Sequence, residues 1–560
     1  MQAQQNQAQE RAINPTPISV AGIVIGVIGC VIITASSVYT ALKMGALPWP
    51  TIFTSISALV LLRAFGHRSL NEANVTQIIM SAGSMVAGGL AFTIPGIWML
   101  GLGEDVNWVQ MLLVALAGTL LGLVCTALIR RRLVDESNLE YPIGVAAAQT
   151  LEASQAGGAT GRRLFGSMAI AAVWSFLRDA VGIIPAMLCT LPIPGVSFGI
   201  YNSPMLLSIG FLVGGVAVMW WFGGALLANG GIIMGGTALG LWDLTTAQGI
   251  TASLGMGLMM GSGFGVVVKD ILPQVVKHLK AASAHEKDVP RPETAASERS
   301  RTDKVVLGSF IVGAALLLCV GLGLSPLATI IVVALGFVTT IMSAQSVGQT
   351  GIDPMEIFGL IVLLAVAALG EANEVRLFFV AGVIAIACGL GGDVMSDFKT
   401  GQILGTDPRK MWIGQAVGAF VGAAVSVAVM VALVSAYGTG AFGPGQTFVS
   451  AQASVVATMV SGIPHVPAFV IGLAAGLALY CLGVPSMMLG LGVYLPLHLS
   501  LTAPIGMLAK LLYDRLHKGS ETDELSHEDN GIIIASGLLG GESIAGVIIA
   551  LTTVISGLMG

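Results

Sequence analysis

Charge is what this sequence has least of. Of its 560 residues only 10% are Asp, Glu, Lys or Arg, whereas a soluble domain carries about a quarter, so much of the surface must face lipid. A basic cluster is also missing: 25 Lys and Arg against 30 Asp and Glu give a net charge of −5, spread along the chain, and no nucleic-acid partner is expected. No Gly-Lys pair occurs anywhere, which excludes the nucleotide-binding Gly-x-x-x-x-Gly-Lys-Ser/Thr loop and an ATP-driven pump built on it. The cysteines, Cys30, Cys125, Cys189, Cys319, Cys388 and Cys481, never approach Cys-x-x-Cys spacing, and His285-Glu286 lacks the second His of a zinc helix. Neither a nucleophile with its base nor a metal constellation emerges, so the chain does not read as an enzyme and calls for no cofactor.

What is abundant is apolar: 55% of residues are hydrophobic, 74 are glycine, and the mean hydropathy is +0.88. A span needs about 20 apolar residues to cross about 30 Å of hydrocarbon. Runs recurring from Ile18 to Leu558 accommodate about 14 to 16 passes or half-passes. They must be helices, because the bilayer offers no water to unpaired backbone groups. The predicted fold is therefore all-α and polytopic. The polar, Gln-rich start Met1 to Asn14 lacks the features of a cleaved signal, so a first span near 18–41 is expected to be retained. Further spans are expected near 51–62, 75–100 and 109–129, and the basic connections Arg63, His67, Arg68 and Arg130 to Arg132 mark the cytoplasmic side.

Two polar segments, 281–303 and 514–530, hold 17 of the 55 charged side chains and read as solvated loops. The first divides the chain into halves 1–280 and 304–560 joined by a cytoplasmic linker. Met205 to Gly210 resembles Met487 to Gly492, and at the same offset Gly249-Ile250 and Gly255 fall on Gly531-Ile532 and Gly537. This predicts a duplication, with a parallel repeat if both halves begin in the cytoplasm.

Several apolar stretches carry glycine every fourth residue, as in Gly118 and Gly122 or Gly414, Gly418 and Gly422, which serves close helix packing. Three clusters differ: Tyr141-Pro142-Ile143-Gly144, Gly389 to Asp393, and Gly540-Gly541-Glu542. These predict helix interruptions, where transporters build substrate and ion sites. The run 531–558 exceeds one span and fits either a tilted helix or a hairpin broken at Gly540-Gly541.

Ionisable groups inside spans are costly and usually functional. Glu542 lies in an apolar stretch that favours its protonated form, the property of a proton carrier; a structural hydrogen bond is the other reading. Asp393, Asp397 and Lys399 follow the Gly389 break and either bind a zwitterionic or anionic solute or neutralise one another. Asn74 and Gln77 either point one polar stripe into a cavity or glue helices together. Glu140, Gln149 and Glu152 flank the Tyr141 break, Tyr494 and His498 are spaced to share a face, and Arg178 with Asp179 reads as a pair at a span end.

At these residues the sequence resembles the oligopeptide transporter family, particularly its bacterial members near the yellow stripe-like branch. The similar blocks are Tyr39-Thr40-Ala41-Leu42-Lys43-Met44-Gly45, the Asn74-x-x-Gln77 segment leading to Ser81-Ala82-Gly83, Asp397-Phe398-Lys399-Thr400-Gly401 with Pro408-Arg409-Lys410, Tyr494-Leu495-Pro496-Leu497, and Gly541 to Gly546. One block departs: the family's Pro-Glu-Gly-Thr stands here as Pro142-Ile143-Gly144-Val145, and its later acidic residue as Gln149. The resemblance implies a proton-coupled importer of small peptides or metal chelates, with about 16 helical segments, in the bacterial cytoplasmic membrane. Substrate would meet Asn74, Gln77, Tyr141, Gln149, Asp397, Lys399 and Tyr494, while Glu542, Asp393 and Glu152 would handle the coupling proton. A homo-oligomer is compatible with this reading, and a passive channel is its main competitor.

Overall fold

A computed structural model describes residues 18–44, 47, 50–103, 106–137, 139, 141–153, 159–213, 215–266, 268–269, 273, 301–350, 353–461, 465–516 and 527–559. Helix is the rule throughout. The first half runs α1 (Val20–Met44), α2 (Pro50–Ala64), α3 (Leu70–Ala91), α4 (Pro95–Met99), α5 (Trp108–Arg130), α6 (Pro142–Ala153) and α7 (Ala159–Asp179). A hairpin of β1 (Met187–Ile193) and β2 (Val196–Tyr201) follows, then α8 (Pro204–Val213), α9 (Gly215–Leu226) and α10 (Leu244–Val266). The second half runs α11 (Arg301–Leu316), α12 (Pro326–Thr350), α13 (Met355–Ala368), α14 (Glu374–Gly391), α15 (Asp393–Leu404) and α16 (Pro408–Tyr437). It closes with α17 (Ala451–Ser461), α18 (Val466–Cys481), α19 (Ser486–Tyr494), α20 (Leu497–Leu516) and α21 (His527–Met559).

Among the described residues, eight helical stretches are long and apolar enough to cross a membrane, while α8, α13, α17 and α18 are apolar but shorter. The expected all-helical polytopic membrane protein is what the chain forms. The β-hairpin is a local exception with its own signal: Ile193-Pro194-Gly195-Val196 sets Pro and Gly at the two centres of a turn, with Gly195 at φ +73° between the paired Ile193 and Val196.

The centre of the molecule is the crossing of α3 and α14, both buried along nearly their whole length. Ser69 caps α3 by accepting from the Glu72 N–H at 3.3 Å, and Asn373 caps α14 by accepting from the Arg376 N–H at 3.0 Å. Glycine lets the two backbones meet: a Cβ on Gly89 would lie 2.7 Å from the Ile386 nitrogen. Peripheral helices turn apolar faces outward, as with Val305, Val312 and Leu316 of α11, the surface that lipid covers.

Several contacts come in pairs. A side chain on Gly118 or Gly122 of α5 would collide with Val383 or Ala387 of α14, and one on Gly418 or Gly422 of α16 would collide with Ile79 or Gly83 of α3. Gly210 of α8 rests on the Ala503 carbonyl of α20, and Gly492 of α19 rests on the Trp221 carbonyl of α9. Both residues of the second contact lie 282 positions from their counterparts in the first (210 to 492, 221 to 503). Among the described residues only two non-glycines have positive φ, Tyr141 at 48° and Ser450 at 46°. Each stands at the start of a short helix, α6 or α17, and each donates its N–H to the end of a long one, Tyr141 to Gly348 of α12 and Ser450 to Leu42 of α1, both at 2.9 Å.

Three sequence expectations need correction. The chain does not break at Gly540-Gly541: α21 is one continuous helix of 33 residues, so the hairpin is excluded and the glycine serves packing, with Gly541 against the Met168 carbonyl of α7. Tyr494 and His498 do not share a helix face, because α19 ends at Tyr494 and α20 begins at Leu497, with Pro496 between. The polar loop 514–530 is shorter than expected, since its ends belong to α20 and α21, while 517–526 lie outside the described residues. Residues 281–300 of the expected linker also lie outside them, and 301–303 open α11.

Candidate functional site

Two polar centres lie inside the helical body. The first forms where α7, α8 and α21 meet. Small residues on α21, Gly537 and Gly541, let it lie against the Leu164 and Met168 carbonyls of α7, and this contact carries Glu542 into the interior with 2% of its side chain exposed. Its Oε1 accepts from Arg178 Nη2 at 2.8 Å, and Ser203 Oγ lies 2.9 Å from both carboxylate oxygens. Oε2 accepts from the Met205 N–H at 2.7 Å. Pro204 and Met205 open α8, so the carboxylate occupies the positive end of that helix.

Arg178 is wholly buried and each of its three side-chain nitrogens donates. Nε and Nη2 donate to the two oxygens of Asp179 at 2.7 and 2.6 Å, Nη1 donates to the Asn202 carbonyl, and the guanidinium lies 5.0 Å from the Tyr201 ring centre. The reading of Arg178 and Asp179 as a simple span-end pair is therefore corrected: Asp179 is the more exposed anchor, and the guanidinium reaches inward to Glu542. The carboxylate is also not in the purely apolar setting that the flanking sequence suggests. Such a buried pair is stable only because nearly every donor and lone pair is matched.

The second centre surrounds the break between α14 and α15. Gly392 (φ −98°, ψ −73°) interrupts the helix there, as the glycine cluster predicts. Asp393 opens α15, half-buried, and Asp353 and Glu356 stand at the start of α13. Ser343 Oγ lies 2.7 Å from Asp353 Oδ1, while among the described residues Asp353 Oδ2 has no hydrogen-bond partner. Gly392 makes room for it, since a Cβ there would lie 2.8 Å from Oδ2. Asp353, Glu356 and Asp397 all act electrostatically on Asp393. Among the described residues no ion pair involves Asp353, Glu356 or Asp393, and no three acidic, His or Cys side chains converge as metal ligands.

The expected substrate residues separate. Asn74 and Asp397 make separate contacts along α3: Ser81 Oγ donates to Asp397 Oδ2 at 2.6 Å, and Asn74 Nδ2, two turns away, donates to Thr406 Oγ1 just past α15 at 3.4 Å. Gln77 faces elsewhere, its Oε1 accepting from Thr54 and Ser55 of α2 at 3.1 and 2.7 Å, so the single polar stripe of Asn74 and Gln77 is not formed. Tyr141 is fully buried, its hydroxyl donating to the Ala344 carbonyl at 3.3 Å. Lys399 is half-buried beside Gly144, and among the described residues no ion pair joins it to Asp393 or Asp397. Tyr494 stands apart, against Gly255 of α10. Gln149 and Glu152 lie on α6, but their side chains lie outside the described residues, as does Glu140. Asp353 and Glu356 were legible as carboxylates in an apolar run beside Pro354; the sequence inventory passed over them.

A family model described as OPT oligopeptide transporter protein matches residues 18–553. The chain belongs to this family. A curated OPT relative from Haemophilus influenzae, described as a putative oligopeptide transporter, is 25% identical over 591 residues, covering 91% of this chain and 92% of that protein. Membership agrees with the ordered sequence blocks, and two of them sit at the polar centres: Gly541 to Gly546 carries Glu542, and the Asp397 to Gly401 block lies on the OPT chain's α15.

Proposed function

We propose that the protein is a proton-coupled importer of short peptides in the bacterial cytoplasmic membrane, working by alternating access between two repeated halves. The observation that carries this reading is the burial of Glu542 and Arg178 together at the start of α8, inside the helical body of a membrane protein. Charges there are expensive and are retained where they serve a pathway. The peptide substrate is carried over from the name of the Haemophilus influenzae relative. The repeat is supported by the paired glycine contacts and by the matching starts of α6 and α17, a geometry that allows one half to rock against the other.

In this reading Glu542 takes the coupling proton while Arg178 stays paired with Asp179. Asp393, with Asp353 and Glu356 around it, offers a second protonation site beside the helix break. Lys399 and Asp393, which keep exposed surface, face the substrate passage, and Asn74, Asp397 and Tyr141 hold α15 and α6 in position.

The test is transport by the purified chain in proteoliposomes, with labelled dipeptides and ferric chelates offered separately. Glu542→Gln should abolish pH-driven dipeptide accumulation, at least about tenfold below wild type, and spare counterflow exchange, because Asp179 still neutralises Arg178. Unchanged accumulation would remove Glu542 from coupling, and uptake of chelates alone would replace the substrate.

A further inference from the structure

Lys43 lies in the last turn of α1 with its ammonium among aromatic rings. Its ammonium lies 6.0 Å from the Tyr39 ring centre, 5.5 Å from Tyr201 and 6.0 Å from Phe448. Tyr437 and Phe442 extend this wall, with ring centres 5.2 and 5.1 Å from Phe448. The side chain is half-buried, and among the described residues it forms no ion pair. Asp179 and Glu542 act on it electrostatically, yet their oxygens are already engaged by Arg178, Ser203 and the Met205 N–H. A cation over ring faces is attracted by their quadrupoles, but rings accept no strong hydrogen bond, so among the described residues the ammonium donors have no strong acceptor.

We propose that Lys43 binds the carboxylate of the transported peptide. The proposal rests on the peptide-import reading above and names the substrate group that this part of the site recognises. Charge favours it: Lys43 and Arg178 balance Asp179 and Glu542, so an entering carboxylate leaves one negative charge in excess, which a proton on Glu542 cancels. Binding of the anionic end and uptake of the proton are thereby linked. Position favours it too. The start of α17 lies against the last turn of α1, through the Ser450 N–H on the Leu42 carbonyl, and Phe448, two residues before Ser450, faces the ammonium. Of the three rings Tyr201 alone keeps exposed surface, while Tyr39 and Phe448 are buried behind the ammonium, so the lysine's open side faces away from the packed rings.

The experiment is counterflow of labelled dialanine in proteoliposomes of the full chain, with unlabelled dialanine or its C-terminal amide as competitor. In wild type the amide should compete at least about tenfold more weakly than the free acid, the worth of one charge-assisted contact. Lys43→Gln should raise the concentration of free acid needed for half-inhibition to that of the amide, with the amide's own value unmoved. Lys43→Met, which keeps the stem against the rings, should do the same, and Lys43→Arg should restore the preference for the acid. Equal weakening of acid and amide, or a preference that survives in both neutral variants, overturns the assignment of Lys43 while leaving peptide import intact. If wild type exchanges no peptide at all, the import reading fails and this proposal falls with it.

Discussion

Arg178→Gln should cost the protein about 3–5 kcal/mol of stability, because it strands a carboxylate at Glu542 that is 2% exposed and has lost its counter-charge. The expected result is a clear fall in melting temperature in detergent and a loss of monodisperse protein. The double variant Arg178→Gln/Glu542→Gln should recover most of that loss, since a neutral amide can still meet Ser203 and the start of α8. By the same logic Glu542→Gln alone should be mild, because Asp179 continues to accept from Nε and Nη2 of the guanidinium. A single Arg178 variant as stable as wild type, or a double variant worse than the single, would mean that the pair does not hold the fold as described.

A second large effect is expected at the helix crossings. Gly210→Val and Gly492→Val each drive a side chain into a facing backbone carbonyl, Ala503 in one case and Trp221 in the other. Backbone cannot move aside as a flexible side chain can, so each should cost about 1–3 kcal/mol or more. The two losses should be similar in size, because the crossings of α8 with α20 and of α19 with α9 are built alike. Gly223→Val is the control: it lies on the same helix as Trp221, but nothing stands within 4 Å of its absent Cβ, and it should leave the melting temperature nearly unchanged. Melting of the three variants side by side checks the claim; three equal losses would show that glycine matters there for reasons other than contact.

These two cases also mark where sequence reasoning works. Helical periodicity and the membrane's demand for satisfied backbone groups are local properties, so the spans at α1, α3 and α5 were legible, as was the interruption at Gly392. Glycine is ambiguous by nature. The same residue that frees a backbone at Gly392 serves contact at Gly541, and only the presence of α7 on the other side distinguishes them. Partners are less legible still. Arg178 and Glu542 stand 364 positions apart, and nothing in either flank reveals the other. Glu542 was found because a lone carboxylate in an apolar run is conspicuous; Arg178 was passed over because Asp179 beside it offered a sufficient local explanation. Asn74 and Gln77 illustrate the remaining limit: three positions apart on α3, they stand about 60° apart around the helix and so suggest one stripe, yet the partners that claim them, Thr406 for one and Thr54 with Ser55 for the other, are set by tertiary packing. Lys43 drew notice only as part of a motif, since the rings around it come from Tyr201 and Phe448, distant in sequence.

The account stands or falls on whether this chain converts a proton gradient into a solute gradient. The direct measurement is uptake of a labelled dipeptide into proteoliposomes containing only the purified protein, with the interior made alkaline, and repeated with a protonophore present. Internal peptide should rise above the external concentration and fall back to it when the protonophore is added. Uptake that only equilibrates, at a rate and to a level indifferent to the imposed pH difference, would contradict the account and mark the protein as a passive conduit.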